Sequence, residues 1–189
     1  MILNQQSLIC CIDFETTGNL RDNLPVEFAF ARFYPDGRLV DHWETEIAVK
    51  RADTKASSRF EEVMQVKSLR ECWTTIDEKL SGQIICGHNV GVDKQLLLKE
   101  FPFFKAHSYI DTLSLYRQLY DKQIDDYSLE SLLHIFNLYD PIMAHPLNGH
   151  FYPHRALFDA VGSAHLLMRL YQDPRTKSLF EEQDQGMLF

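Results

Sequence analysis

Strand-like patterns dominate the first half of the chain. Runs that are continuously apolar, or that alternate between apolar and polar residues, predict strands because successive side chains on a strand point to opposite faces. Between the second and third runs, Tyr34-Pro35-Asp36-Gly37 is typical of a tight turn and predicts a hairpin. The predicted strands cover residues 8–13, 26–33, 38–47, 83–87 and 107–111.

Helix-like spacing separates the later strands and fills the second half of the chain. Apolar residues spaced by three or four form a stripe from Phe60 to Leu80, which ends at Ser81-Gly82. A hairpin followed by alternating helices and strands predicts an α/β fold with a mixed sheet. Further helices are predicted over 92–101, 112–120, 128–137 and from near Arg155 to just before Pro174.

Composition is typical of one globular domain, with 189 residues, 45% hydrophobic and 24% charged. No run reaches the roughly 20 apolar residues of a membrane span and no signal peptide is recognisable, so we expect a cytoplasmic protein without membrane contact. The four cysteines lack metal-ligand spacing and are expected to be buried and reduced. A net charge of -8 argues against non-specific nucleic-acid binding unless the acids hold cations.

Two acids one residue apart, Asp13 and Glu15, follow the first apolar run. They share a face if the strand continues past Ile12, and two carboxylates that close favour a divalent cation between them. The following Thr16-Thr17-Gly18 suits a bound polar ligand. A solvated strand end is the alternative interpretation of the two acids taken alone.

Two further stretches place acids at the starts of predicted helices. Gly87-His88-Asn89-Val90-Gly91-Val92-Asp93 joins a buried strand to a helix, although Asp93 alone could be a residue favoured by the helix dipole. His154-Arg155-Ala156-Leu157-Phe158-Asp159 opens the last helix. Since five positions separate His154 from Asp159, both reach one site only if His154 precedes the helix, and Pro153 fits that placement.

Together, D-x-E-T-T-G, H-N-x-x-x-D and H-x-x-x-x-D resemble the three exonuclease motifs of the DEDD superfamily. The resemblance is to its His-containing branch, the family of the proofreading epsilon subunit of bacterial DNA polymerase III. It extends from about Leu8 to Leu170 and includes Asp111-Thr112-Leu113. It implies an RNase H-like fold, with a mixed five-stranded sheet flanked by helices, and 3'-to-5' removal of nucleotides with two Mg or Mn ions.

The resemblance also implies roles for individual residues. His154 would be the general base that takes a proton from the attacking water, releasing nucleoside 5'-monophosphates. The expected substrate is a single-stranded 3' end, with DNA favoured in proofreading or repair and RNA as the other choice. The implied metal ligands are Asp13, Glu15, Asp93 and Asp159, and the implied substrate contacts are Phe14, Thr16, Thr17, Gly18, His88 and Asn89.

Some stretches depart from the family pattern. Val92 stands where the family often has Phe, and residues 51–68 lack an expected substrate-contacting segment. The stretch 138–153 is longer than in the epsilon subunit, and we interpret it as a loop that shapes the substrate cleft. A zinc site formed by His145, His150 and His154 is the alternative. Sparse basic residues, namely Lys94, Lys99, Lys105 and Arg155, are candidate contacts to a nucleic-acid backbone or simply solvated.

We divide the sequence into an exonuclease domain, 1–173, and a flexible tail, 174–189. The last residues, Gln185-Gly186-Met187-Leu188-Phe189, resemble the Q-x-x-L-F peptide that docks bacterial repair proteins on the sliding clamp. Gln185, Leu188 and Phe189 are therefore candidate partner contacts, and a frayed end or a dimer contact is the alternative. A non-catalytic adaptor that binds nucleic-acid ends or a polymerase is the alternative function.

Overall fold

A mixed five-stranded sheet forms the centre of the computed structural model, which describes residues 3–18, 24–48, 67–145, 147, 151–176 and 179–180. The sheet order is β3-β2-β1-β4-β5. β1 pairs antiparallel with β2, as β2 does with β3, whereas β4 runs parallel to β1 and to β5. The predicted mixed sheet is confirmed. The strands are β1 (Ile9–Thr16), β2 (Pro25–Phe33), β3 (Leu39–Glu46), β4 (Ile84–Gly87) and β5 (Ser108–Asp111).

The hairpin turn between β2 and β3 forms as predicted. The Gly37 N–H donates to the Tyr34 carbonyl at 2.9 Å, and Gly37 has φ 94, a conformation that glycine adopts without steric cost. β1 is longer than predicted, since it continues beyond residue 13 to Thr16. The strand geometry on which the two acids depend therefore persists through both of them.

The helices lie close to their predicted positions, with two differences. Within the described part of the stripe from Phe60 to Leu80, helix begins at Leu69, where a 3₁₀ turn (Leu69–Cys72) leads into α1. The prediction is wrong at residues 67 and 68 because Ser68 caps the turn, and residues 60–66 lie outside the described part. The segment predicted as a loop contains a short helix, α5. The helices are α1 (Trp73–Leu80), α2 (Val90–Glu100), α3 (Thr112–Leu119), α4 (Leu129–Ile135), α5 (Tyr139–Met143) and α6 (Ala156–Gln172).

Each face of the sheet buries its own apolar cluster. α6 packs on one face, where Ala156, Ala160 and Ala164 are buried and their small side chains allow a close approach to the strands. On the other face, Phe28 and Phe30 of β2 are buried with residues of α1 and α2. Burial of these faces holds α6 against β1 and β2, the strands that carry the acidic residues. All four cysteines are buried and free, as predicted.

Packed residues continue beyond Asp173, the end of the predicted domain. Pro174–Thr176 forms a 3₁₀ turn, and Phe180 is only 5% exposed, with its ring 5.7 Å from that of Tyr171. An apolar side chain after the turn thus packs against the end of α6, and the division into a domain and a tail stays a prediction. Gln185, Leu188 and Phe189 lie outside the described residues. Among the described helices, none has the length and apolarity needed to cross a bilayer.

Candidate active site

Three carboxylates converge where β1 passes the start of α6. Asp13 and Glu15 alternate with buried residues of β1 and point toward α6, whose first turn carries Asp159. One oxygen of each carboxylate lies within 4.8 Å of the others. In the part of the chain that the structure describes, no other group of three or more acidic, histidine or cysteine side chains comes this close.

Asp93 lies beside this group in α2 and is 5% exposed. Its Oδ1 accepts a hydrogen bond from the Phe14 N–H at 3.0 Å, which ties α2 to the middle of β1. The charge of Asp93 raises the pKa of Asp13, so the two side chains interact electrostatically. The structure thus brings all four predicted acids to one end of the sheet, and their role as metal ligands stays a prediction.

These acids are held in a setting that opposes their ionisation. Burial, followed by the charges of Asp93, Asp159 and Glu15, raises the pKa of Asp13 well above its usual range. Burial also raises the pKa of Asp93 to about 7 and that of Asp159 to about 7, with the Glu15 charge contributing to both. A bound cation would stabilise the folded state, because it would favour the ionised form of each of these carboxyl groups.

The chemistry of these donors fits a hard divalent ion. Mg²⁺ and Ca²⁺ prefer carboxylate oxygens, whereas zinc is usually held by nitrogen and sulfur ligands as well. Asp13, Glu15 and Asp159 offer oxygens only, and Asp93 adds another buried carboxylate nearby. The residues present therefore fit Mg²⁺ or Mn²⁺.

His154 precedes α6, as the spacing to Asp159 required. Its backbone has φ 62, in the left-handed region, and Arg155 is extended before the helix begins at Ala156. The His154 ring is 72% exposed, and its Nε2 lies 3.8 Å from the Glu130 carboxylate on α4. Both the charge of His154 and its backbone lower the pKa of Asp159, which places the histidine beside the carboxylate group.

Among the predicted substrate contacts, the Phe14 side chain lies on the face of β1 opposite the acids. Since alternate residues of a strand face opposite sides, the Phe14 side chain points away from Asp13 and packs against Phe28 at a ring distance of 4.4 Å. Its side chain is buried in the other core cluster. Only the Phe14 backbone, which already donates to Asp93, faces the site.

The residues after Glu15 form the rim of the site. Thr16 ends β1, and Thr17 is tied to the start of β2, since its N–H donates to the Leu24 carbonyl at 3.0 Å. Gly18 is exposed and has φ 66. Contacts of Thr16, Thr17 and Gly18 with a substrate stay predictions.

His88 and Asn89 lie at the end of β4, next to β5. Both ring nitrogens of His88 are engaged inside the fold, Nδ1 with the Thr112 hydroxyl at 2.9 Å and Nε2 with the Tyr127 carbonyl at 2.8 Å. His88 thus has a structural role that leaves no ring nitrogen for a substrate. Asn89 is exposed, with φ 65, and its N–H donates to Asp111 at 2.8 Å, so its side chain stays a predicted contact.

Two residues near the site were not predicted. Glu27 of β2 pairs with Glu15 across the strands and is buried, and its charge raises the pKa of Asp13. A single acid within the apolar run PVEFAFARF was the available sequence signal. Tyr139 of α5 also lies near the acids, because the charges of Glu130 and Asp159 contribute to raising its pKa. No pattern singled it out within the predicted loop.

The alternative zinc site receives no support from the described residues. The Nε2 of His145 lies 2.8 Å from Nε2 of His165 on α6, a residue outside the predicted zinc site. His150 lies outside the described residues. Arg155, a candidate contact to nucleic acid, is instead buried against Glu27.

Comparisons with known proteins agree with the fold. No protein-family model matches the chain. A curated relative, the DNA polymerase III PolC-type of Thermotoga petrophila, is 29% identical over 171 residues, which is 85% of this chain but only 12% of that protein. The chain therefore spans about an eighth of this relative's length.

Several solved structures share the fold at low sequence identity. A 3'-exonuclease that recognises the 3' end of a histone mRNA stem-loop has a TM-score of 0.62 at 16% identity, with 89% of this chain and 83% of that one covered. Escherichia coli exonuclease I, zinc-bound and with single-stranded DNA, has a TM-score of 0.64 at 16% identity, covering 94% and 43%. Schizosaccharomyces pombe Pop2p, bound to Mg²⁺ and Mn²⁺, has a TM-score of 0.62 at 12% identity, covering 89% and 84%. These likenesses confirm the predicted exonuclease-type, RNase H-like fold.

Proposed function

We propose that the protein is a metal-dependent 3'-to-5' exonuclease that releases nucleoside 5'-monophosphates. The observation that carries this proposal is the convergence of Asp13, Glu15 and Asp159 within 4.8 Å, beside buried Asp93 and exposed His154. The fold shared with 3'-exonucleases supports it. Four clustered acids on a chain of net charge -8 are difficult to explain unless cations offset them.

Asp13, Glu15, Asp93 and Asp159 would hold two divalent ions, Mg²⁺ or Mn²⁺. Ions at such a site lower the pKa of a water and neutralise charge on the phosphate and the leaving oxygen. His154 accepts the proton of the attacking water, since an imidazole held beside the reacting group is the commonest general base in proteins. Its exposed ring lies free of the core and can approach a bound 3' end.

DNA is the favoured substrate, although the structurally similar enzymes include one bound to DNA and one that recognises RNA. Two comparisons favour DNA. The matched relative is a DNA polymerase, and the structure of exonuclease I contains single-stranded DNA. The 3'-exonuclease with histone mRNA supports RNA as the other choice. We therefore place the protein in proofreading or repair, acting on single-stranded 3' ends in the cytoplasm.

Product analysis on matched oligonucleotides tests this function. The protein is incubated with single-stranded DNA and RNA of the same sequence, with Mg²⁺, with Mn²⁺ or with chelator, beside His154→Ala. We expect stepwise shortening from the 3' end to 5'-monophosphates, with a loss of about 10²–10⁴-fold in His154→Ala. If the wild type cuts neither strand under any metal while still binding 3' ends, the non-catalytic adaptor replaces the exonuclease.

The chain end offers a partner in the same process. Gln185, Leu188 and Phe189 match a sliding-clamp peptide, and tethering would raise the local concentration of substrate for a negatively charged nuclease. Deleting residues 185–189 is expected to abolish binding to a bacterial sliding clamp while hydrolysis of short oligonucleotides continues. Loss of both properties would assign the segment a structural role instead.

A further inference from the structure

Glu27 is a buried carboxylate that the proposed chemistry does not use. It lies on β2 opposite Glu15 of β1 and faces α6, in the alternation that also buries Ala29 and Ala31 against that helix. Its side chain is 8% exposed. A carboxylate buried in this way destabilises the fold unless it is paired and hydrogen-bonded. Its partners therefore indicate what it is for.

Within the described residues, the hydrogen bonds to the Glu27 carboxylate come from the start of α6. Arg155 Nε lies 3.1 Å from Oε1 and 3.0 Å from Oε2, and the Ala156 N–H donates to Oε1 at 3.2 Å. The Arg155 side chain is itself only 10% exposed, and its Nη2 lies 3.9 Å from Glu46 of β3. One carboxylate on the sheet thus holds both a side chain and a backbone N–H of the helix entry.

The helix start has no cap of its own. Arg155 occupies the N-cap position in an extended conformation and makes no side-chain cap hydrogen bond. Free N–H groups at a helix start need an acceptor, and here a residue distant in sequence provides it. Glu27 therefore caps α6 from the sheet.

The contacts that Glu27 makes with Arg155 and Ala156 anchor the start of α6. The residues on either side of this anchor are the ones proposed to take part in catalysis. His154, immediately before Arg155, adopts φ 62, which a residue other than glycine keeps only when its surroundings hold it. Asp159 lies one turn into the helix, and its N–H donates to the Arg155 carbonyl at 3.0 Å. A shift of the Arg155 backbone would thus move His154 and Asp159 together, away from Asp13 and Glu15.

We propose that Glu27 and Arg155 form a positioning pair, which fixes the start of α6 on the sheet and thereby sets His154 and Asp159 against Asp13 and Glu15. Neither residue meets the substrate. This inference rests on the proposed exonuclease function, and it replaces the expectation that Arg155 contacts a nucleic-acid backbone. The pair acts on geometry, so its loss lowers turnover rather than substrate binding.

The test combines two variants of Glu27 with a matched control. Glu27→Ala removes both interactions, whereas Glu27→Gln keeps an oxygen that can accept from Ala156 and preserves the side-chain shape. Asp41→Ala is the control, since Asp41 also pairs with an arginine on the same sheet but on the face that α1 covers, where it also meets Lys79. The readouts are kcat and KM on a single-stranded DNA oligonucleotide with Mn²⁺, and amide hydrogen exchange of the metal-free protein.

In Glu27→Ala we expect kcat to fall about 10–100-fold, the size usual for residues that orient metal ligands, with KM changed less than about threefold. Exchange in a peptide covering residues 154–160 should be faster by about tenfold or more, because the anchored turn opens more often. Glu27→Gln should lie between Glu27→Ala and wild type in both readouts. Asp41→Ala should match wild type in kcat and KM, and any faster exchange it shows should be spread over the protein and not concentrated in residues 154–160.

Three results would overturn the positioning pair. These are a rise in KM with unchanged kcat, unaltered exchange over residues 154–160 in Glu27→Ala, and an equal loss of kcat in Asp41→Ala. Hydrogen exchange needs no activity, so it separates this inference from the proposed function. A wild type without nuclease activity would refute the exonuclease, while faster exchange in Glu27→Ala would still establish the anchor.

Discussion

The two faces of the sheet each carry charged side chains, and they differ in how those charges are balanced. On the face covered by α1, Asp41 of β3 is bound by Arg32 of β2 and by Lys79 of α1, the latter at 3.0 Å. The hydrogen bond from Arg32 lowers the pKa of Asp41 below its usual value. The carboxylate is ionised there at little cost, and the cluster joins two strands to a helix.

On the face covered by α6, carboxylates have other carboxylates as neighbours. Burial and the charges of Asp93, Asp159, Glu15 and Glu27 all raise the pKa of Asp13. Arg155 is directed to Glu27 and Glu46 instead. A balanced cluster of charges stabilises a fold, whereas an unbalanced one is kept at the expense of stability and indicates a site for a cation.

The largest effect that separates the faces is on catalysis. Asp13→Asn is expected to lower the hydrolysis of single-stranded DNA by about 10³-fold or more, because the amide cannot replace a ligand carboxylate. Asp41→Asn is expected to leave the rate within about twofold of wild type. Initial rates at saturating Mn²⁺ check both variants. Comparable losses in the two would mean that activity depends on overall stability and not on the acids beside α6.

Asp41 should matter for stability, although its loss should leave catalysis nearly unchanged. Asp41→Asn is expected to lower the free energy of unfolding by about 1–3 kcal/mol, since it removes charged hydrogen bonds from partly buried Arg32 and from Lys79. Urea unfolding at neutral pH measures the change. An unchanged midpoint would show that the ion pairs on this face add nothing to stability.

Sequence patterns predicted the sheet, the hairpin and the approximate helices, because these depend on local alternation and on turn residues. The acids at 13, 15, 93 and 159 were also found from local motifs, and the structure brings them to one end of the sheet. The features that could not be predicted from the sequence depend on contacts between residues that are distant in the chain. Glu27 caps a helix that begins 129 positions later in the chain, and no spacing rule connects the two.

Tertiary contacts also place the side chains of several motif residues in ways that the sequence patterns do not reveal. Phe14 lies within the first motif, but strand alternation directs its side chain into the opposite core. His88 matches a motif position, yet its ring nitrogens bind Thr112 and Tyr127, residues whose proximity follows from the packing of β4 against β5 and the following segments. Phe180 packs on Tyr171 after a turn that the polar composition of the tail concealed. Local sequence thus identifies motif positions, and tertiary contacts decide what each side chain does.

A smaller effect distinguishes the faces without metal. In chelator, Asp13→Asn is expected to raise the free energy of unfolding by about 0.5–2 kcal/mol, because the amide is neutral among the other carboxylates without taking up a proton on folding. Adding Mn²⁺ should stabilise the wild type and leave Asp13→Asn nearly unchanged, since ligand binding stabilises only the state that binds. Thermal unfolding with and without Mn²⁺ checks both expectations. A variant less stable than wild type in chelator would contradict the repulsion.

Stability should also change with pH, in a way that depends on Asp159. Its pKa is about 7 in the folded protein against an ordinary 3.8, so between these values the folded state binds a proton that the unfolded state has lost. The contribution of Asp159 to folding is therefore least favourable above pH 7 and improves as the pH falls toward 4.

The buried histidines act in the opposite direction. The pKa of His165 is lowered to about 4, so its contribution to stability is lost as the pH falls below the ordinary histidine value. Comparing wild type with Asp159→Asn in chelator cancels this background because both proteins keep the same histidines. The stability of the wild type relative to Asp159→Asn should increase as the pH is lowered from 8 to 5 in urea unfolding. A constant difference would mean that Asp159 is ionised at neutral pH without a cation, and that the charges beside α6 are better balanced than their neighbours indicate.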